Sequence, residues 1–282
     1  MSATQADLWS GAVGESWVRN AATYDRVLEP LGRAALDRLG AGPGQRVLDV
    51  GCGTGTTTVE IARRVHPGGS VLGVDVSRPM IDHARGRVPD AGEGGSVEFA
   101  VLDVEHDELS GPFDAAFSRL GVMFFDRPQV AFAAIASSLT ARGRFAFVCF
   151  SSPAENPFIT VPTGAALATM RGVTMPPPGT AGPFSLADPD VVRGLLESAG
   201  FAEVALSAGP DEVTLGPADR IDDLARQALE QNPLVMSLLA ADAQARDPAI
   251  EAAAAALREH VHDGDVRLGA GTWIVEARVA DR

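Results

Sequence analysis

Asp49 ends the apolar run Val47-Leu48-Asp49-Val50, and glycines follow at positions 51, 53 and 55. Glycines at that spacing let the backbone turn sharply and approach a ligand closely. A carboxylate beside such a turn attracts an ammonium or sulfonium and repels a pyrophosphate. Two further apolar runs close on an acid. Val71-Leu72-Gly73-Val74 leads to Asp75, whose oxygens can accept both hydroxyls of a ribose. Val97-Glu98-Phe99-Ala100-Val101-Leu102 leads to Asp103, which can accept a hydrogen bond from an exocyclic amine such as that of adenine. A turn acid, a ribose acid and a base-edge acid together describe a cationic adenosine ligand without phosphate.

Two common nucleotide sites are excluded by the letters. The dinucleotide fingerprint needs Gly or Ala three positions after its second glycine; here that position is Thr56 or Thr58, whichever pair of glycines starts the count. A phosphate-binding P-loop needs lysine after its glycines, and all 23 basic residues of this chain are arginine. The same absence removes Schiff-base chemistry.

The elements that must hold these acids are legible from 44 to 150. Strand patterns at Arg46–Val50, Ser70–Asp75, Val97–Leu102, Phe113–Ser118 and Arg142–Phe150 alternate with helical patterns at Thr56–Val65, Pro79–Val88 and Gln129–Leu139. Such alternation predicts an α/β, doubly wound, Rossmann-like and mostly parallel sheet. Gly143 reads as the stop of the helix before the fifth strand. Residues 1–40 read as helices. Prolines 153, 157, 162, 176, 177, 178 and 183 break any long helix over 151–183. A helix over Leu186–Ala199, a strand at Glu203–Ser207, helices over 217–262 and a last strand at Thr272–Val279 complete the reading.

The 282 residues suit one enlarged domain or a domain with a cap. A net charge of −14 disfavours nucleic acid and anionic membrane, which would repel the chain at long range. Two cysteines, Cys52 and Cys149, form no disulfide framework or zinc pattern, so no metal is expected. The beginning of the chain shows no signal-peptide pattern, and no run of eighteen apolar residues occurs. A cytoplasmic, bacterial protein without membrane insertion is expected. Its expected partners are a small-molecule acceptor and, at most, a second copy of the chain as a homodimer.

Asp49-Val50-Gly51-Cys52-Gly53-Thr54-Gly55, with Asp75 and Asp103 in order, resembles the class I S-adenosylmethionine-dependent methyltransferases, in the small-molecule branch related to ubiquinone and menaquinone methyltransferases. Phe117-Ser118-Arg119-Leu120-Gly121-Val122-Met123-Phe124-Phe125 is similar to their fourth strand and loop. Ala141-Arg142-Gly143 departs from the Pro-Gly-Gly usual there. The resemblance covers about 40–150 and implies seven strands, the last antiparallel, with S-adenosylmethionine as cofactor. It implies that Gly51, Cys52, Gly53, Thr54 and Gly55 pass close to the methionine moiety and ribose, with Asp49 at the amino group. Asp75 would hold the ribose, Val76 and Met80 would lie near adenine, and Asp103 and Val104 would contact the adenine edge. Ser118 and Arg119 would lie beside the methionine portion, unless they form a solvated strand end.

By the same resemblance, 1–40 are lid helices, 41–150 the cofactor core, 151–184 a cap insertion, 185–216 a core helix and strand, 217–262 a helical substrate cap and 263–282 the final core strand. Trp9 is expected to pack the first helix. Trp17 and Tyr24 serve either as packing or as a lid that keeps water from a reactive sulfonium. A hydroxyl acceptor would need a base; His106 and Tyr24 are the candidates, with a solvent-facing loop as the rival reading of His106. Phe124, Phe125, Asn156 and Phe158 are candidates for the acceptor pocket, with packing the alternative for each. The expected activity is methyl transfer to a small apolar or aromatic metabolite, quinone-like or from secondary metabolism. The alternatives are a protein that only binds the cofactor, or an enzyme that uses it for a rearrangement or cyclisation.

Overall fold

The computed structural model describes residues 5–88, 95–177 and 179–280; Pro178 lies outside them. Seven strands form the main sheet: β1 (Arg46–Val50), β2 (Ser70–Asp75), β3 (Ser96–Val101), β4 (Phe113–Arg119), β5 (Leu139–Phe150), β6 (Phe201–Ala208) and β10 (Thr272–Val279), in the order β3-β2-β1-β4-β5-β10-β6. β10 runs antiparallel to both neighbours, and β1 to β5 pair in parallel. The expected α/β architecture is present. The order reverses at β1 and β4, so a crevice opens beyond the carboxyl ends of those strands.

Helices α4 (Thr56–Val65), α5 (Arg78–Arg85), α6 (Pro128–Ser138) and α8 (Pro189–Ser198) connect and cover the strands. The N-terminal segment folds as α1 (Gln5–Ser10), α2 (Ala12–Arg19) and α3 (Ala21–Leu39). In α3, Leu28, Leu31, Ala35 and Leu39 recur at helical spacing and are buried, and the helix packs on β5 and β10. That packing carries the amino end of α3, with Tyr24 and Asp25, over the glycine turn.

Some boundaries differ from the sequence reading. β5 begins at Leu139, and the left-handed residue before its straight part is Arg142, at φ 58°, not Gly143. The helix therefore stops at Ser138, without a glycine. α7 (Pro157–Ala168) forms within the proline-rich stretch, because Pro157 stands in its first turn, where no N–H is required, and Pro162 is accommodated inside. A second, three-stranded antiparallel sheet has the order β7-β9-β8, built from β7 (Glu212–Pro217), β8 (Val261–His262) and β9 (Asp265–Gly269). The segment 263–282 thus contributes one strand to each sheet. α9 (Ile221–Glu230), α10 (Pro233–Ala241) and α11 (Arg246–Arg258) pack with α7 and this small sheet into a cap. Among the described residues no helix is long and apolar enough to cross a membrane.

Candidate active site

The glycine turn is built from left-handed backbone. Gly51, Gly53 and Gly55 have φ of 65°, 54° and 85°. The amides of Gly51 and Cys52 donate to the Val74 carbonyl at 2.9 and 3.0 Å, tying the turn to β2. A Cβ on Gly51 would stand 2.9 Å from the Cα of Gly121, so two backbones touch where β1 and β4 end. A Cβ on Gly55 would strike Ala84 and Phe99. Gly55 therefore packs the start of α4 against α5 and β3 and does not line the crevice.

Each strand-end acid is held by its neighbours. Asp49 is 1% exposed and accepts a hydrogen bond from Thr58 Oγ1 at 2.6 Å on Oδ2. Its Oδ1 is buried without a partner. Burial pushes this carboxyl up to about 7, while Thr58 and the charge of Arg119 pull it down. Asp75 accepts from the Gly53 amide at 2.9 Å and the Ser77 amide at 2.8 Å, and burial raises its pKa against both bonds. Asp103 accepts from the Glu105 amide at 2.9 Å and contacts His106 Nδ1 at 2.8 Å.

These acids line one cavity of about 240 Å³. Its floor is the glycine turn with Val76, Met80, Asp103 and Val104; its roof is Trp9, Trp17, Tyr24, Asp25 and Leu28; its far wall is Arg119, Leu120, Gly121, Phe124 and Phe125. Aromatic rings run along the roof from Tyr24 to Trp17 (4.6 Å), Trp9 (5.7 Å) and Phe124 (4.9 Å). Trp9, expected only to pack, is buried and also lines the cavity. Trp17 Nε1 is buried without a partner.

Of the predicted residues, Trp17, Tyr24, Asp49, Gly51, Cys52, Gly53, Thr54, Asp75, Val76, Met80, Asp103, Val104, His106, Arg119, Phe124 and Phe125 meet at this cavity. Gly55, Ser118, Asn156 and Phe158 do not. Ser118 is fully buried beneath Gly121. Asn156 is fully buried and donates to the carbonyls of Ser152 and Gly271 at 2.9 and 3.0 Å, tying α7 to the start of β10. Phe158 is 1% exposed and packs on Phe150 at 5.3 Å. These two residues stand in the core because β5 delivers α7 to the cap and not to the crevice. Among the described residues none beyond Asp126 lines the cavity.

Neither candidate base offers a free basic atom. Nε2 of His106 lies 2.8 Å from Arg127 Nη2. A guanidinium can only donate, so Nε2 accepts and Nδ1 carries the proton toward Asp103. The Tyr24 hydroxyl donates to the Gln227 carbonyl at 3.0 Å, and burial raises its pKa well above the usual phenol range.

Asp25 was legible only as part of a lid; in the fold it is a hub. It accepts from Thr56 Oγ1 (2.6 Å), Arg87 Nη2 (3.1 Å) and Arg119 Nη2 (3.2 Å), fastening α3 to the start of α4, the segment after α5 and the end of β4. Gly121 was missed, since its reason is contact with Gly51, 70 residues away in sequence. Glu105 was also missed. It accepts from the amides of Asp126 (3.1 Å) and Arg127 and holds the loop after Phe125.

Comparison with known proteins accords with this geometry. Residues 47–143, from β1 into β5, match the family described as a methyltransferase domain. Nocamycin O-methyltransferase of Saccharothrix syringae is 30% identical over 196 residues, 65% of this chain and 68% of that protein. The chain belongs to the class I S-adenosylmethionine-dependent methyltransferases. Another member of the family, the ubiquinone/menaquinone biosynthesis C-methyltransferase UbiE of Stutzerimonas stutzeri, is 26% identical over 71% of this chain and 76% of its own length. For several further methyltransferases the matched stretch spans only 37% to 63% of their length. Among solved structures, the cyclase SpnF superposes with a TM-score of 0.61 at 19% identity, over 100% of this chain and 98% of its own, a likeness of fold.

Proposed function

We propose that the chain transfers a methyl group from S-adenosylmethionine to a small metabolite. The observation that carries this reading is the convergence of Asp49, Asp75 and Asp103 on one cavity, with Asp49 Oδ1 buried and unpartnered. A buried acceptor without a donor is costly unless a ligand supplies one. The cofactor's α-ammonium is such a donor, and the acidic floor suits a ligand that is cationic over much of its length.

The remaining residues fit the same ligand. Asp75, already positioned by two backbone amides, has lone pairs for the ribose hydroxyls. Val76, Met80 and Val104 supply apolar walls for a purine, and Asp103 accepts at its edge. The turn at Gly51 and Gly53 leaves room for close approach of the methionine portion. Ser118 and Gly55 support these residues from behind. When bound, the cofactor supplies an electrophilic methyl group on a sulfonium. The chain aligns an acceptor behind that methyl group and keeps water away with Trp9, Trp17 and Tyr24.

The acceptor compatible with this site is small and apolar in its body, since Phe124, Phe125, Leu120 and Trp17 line the wall. It needs no strong base from the protein, given the engagement of His106 and Tyr24. Nocamycin O-methyltransferase and the ubiquinone/menaquinone enzyme, which carry metabolites in their names, support this class.

The test is calorimetric titration with S-adenosylhomocysteine, followed by a panel of quinones, phenols and polyketides assayed for its release. Wild-type protein is expected to bind, and Asp75→Ala to lose binding. Unchanged affinity in Asp75→Ala would defeat the ribose assignment, and no binding to the wild type would defeat the whole reading.

A further inference from the structure

The cap does not line the cavity, yet one of its residues grips the roof. Glu230 is the last residue of α9, with its side chain 15% exposed. A carboxylate there meets the negative end of the helix dipole, an unfavourable place for an acid. It is offset by two donors from the N-terminal helices. Ser16 Oγ donates to Glu230 Oε2 at 3.2 Å, and Asn20 Nδ2 donates to the same oxygen at 3.1 Å. Arg246 Nη1, at the start of α11, lies 3.9 Å from Oε1.

Both donors sit where the roof bends. Asn20 closes α2 and precedes α3, and its side chain makes no cap hydrogen bond to the start of α3. The Asn20 amide reaches Glu230 and the Ser16 carbonyl instead. Ser16 is fully buried and is followed by Trp17, whose ring lines the cavity. One turn before Glu230, the Gln227 carbonyl accepts from Tyr24 OH. The end of α9 thus holds Ser16, Asn20 and Tyr24, and with them the two roof aromatics that touch each other at 4.6 Å.

We infer that Glu230 is a positioning residue that latches the α2–α3 roof closed over the cofactor cavity, so that the cap governs how long the cofactor is retained. The inference rests on the cofactor reading above. With the carboxylate removed, the buried Ser16 hydroxyl loses its acceptor and half-buried Asn20 Nδ2 keeps only its bonds to Ser16, and the lost partner is replaced by water only if the roof opens. The cost of that opening falls on the closed, cofactor-holding state.

Binding of S-adenosylhomocysteine is measured by calorimetry, and its release by stopped-flow fluorescence of Trp9 and Trp17, with thermal unfolding of each ligand-free variant as the structural control. Glu230→Ala is expected to weaken binding roughly tenfold or more, mainly through faster release. Glu230→Gln keeps an oxygen able to accept both hydrogen bonds and is expected to stay within about threefold of wild type. Wild-type affinity and release rate in a folded Glu230→Ala overturn the latch. Weakening by Glu230→Gln as large as by Glu230→Ala overturns it as well. If Glu230→Ala does not fold, Asn20→Ala takes its place, and a wild-type release rate there overturns it. Binding by the wild type in any of these outcomes leaves the cofactor reading standing on its own.

Discussion

His106 Nδ1 lies 2.8 Å from the Oδ2 of Asp103, and the imidazole donates on that side. Arg127 takes the other nitrogen. The ring is thereby a brace for the strand-end acid. His106→Asn, whose amide can still donate toward Asp103, is expected to keep kcat within about threefold of wild type. A general base would cost on the order of a hundredfold or more. Kinetics across pH 5.5–8.5 decide it: loss of that size, with a histidine-like ionisation disappearing from the profile, would restore His106 as the base.

Asp49 makes ligand-free stability and cofactor affinity respond to pH in opposite directions. Its carboxyl is raised from 3.8 when unfolded to about 7 when folded. Between those values the native chain holds a proton that the unfolded chain has lost, so stability falls as pH rises through the window and levels off above it. An ammonium ligand needs the ionised form, so affinity rises with pH, roughly tenfold per pH unit below 7. Asp49→Asn, which keeps an acceptor for Thr58, is expected to flatten both slopes. Calorimetry in buffers of different ionisation enthalpy should detect a proton released on binding by the wild type below pH 7. No proton release there would remove Asp49 from the ammonium site.

The contrast between what was and was not legible has a physical basis. β1, β2 and β3 are apolar runs ending in acids, and the parallel pairing of buried strands makes such runs contiguous. The floor of the cavity is therefore local in sequence. The roof and its fastenings are not. Asp25 is unremarkable until Thr56, Arg87 and Arg119 meet it, and Glu230 until α9 meets Ser16 and Asn20. The small sheet escaped notice because Val261–His262 is two residues long and β7 ends at a proline. Asn156 and Phe158 have the right types for a pocket, but only the path of α7 shows that they are enclosed. Gly143 illustrates a different limit: the chain bends at Arg142, a residue with no preference for left-handed backbone.

Gly121 should tolerate substitution poorly for a reason of contact alone. A Cβ there would lie 3.0 Å from Gly51 Cα and 3.1 Å from both Val50 O and Ser118 Oγ. Gly121→Ala must push the two strand-end loops apart, at a cost of about 1–3 kcal/mol. Affinity for S-adenosylhomocysteine should fall with it. Gly194, exposed in α8 with open space around it, is the control. Gly194→Ala should stabilise by about 0.5–1 kcal/mol through helix propensity. Chemical denaturation of both variants checks the pair, and equal effects would contradict the contact argument.

Phe124 and Phe158 separate the cavity wall from the core behind it. Phe158 is enclosed against Phe150, so Phe158→Ala should cost about 3–5 kcal/mol of stability. The folded fraction should keep its KM for cofactor and acceptor, because Phe158 does not line the cavity. Phe124 is partly exposed to the cavity and meets Trp9 edge-on at 4.9 Å. Phe124→Leu should cost less in stability, since an aliphatic side chain still fills much of the space. It should nevertheless raise a KM, because the wall that faces bound molecules has changed shape and Trp9 has lost one of its two ring partners. Thermal unfolding and steady-state kinetics on the two variants give four numbers. A raised KM in Phe158→Ala, with none in Phe124→Leu, would move the acceptor pocket to the α7 side of the sheet.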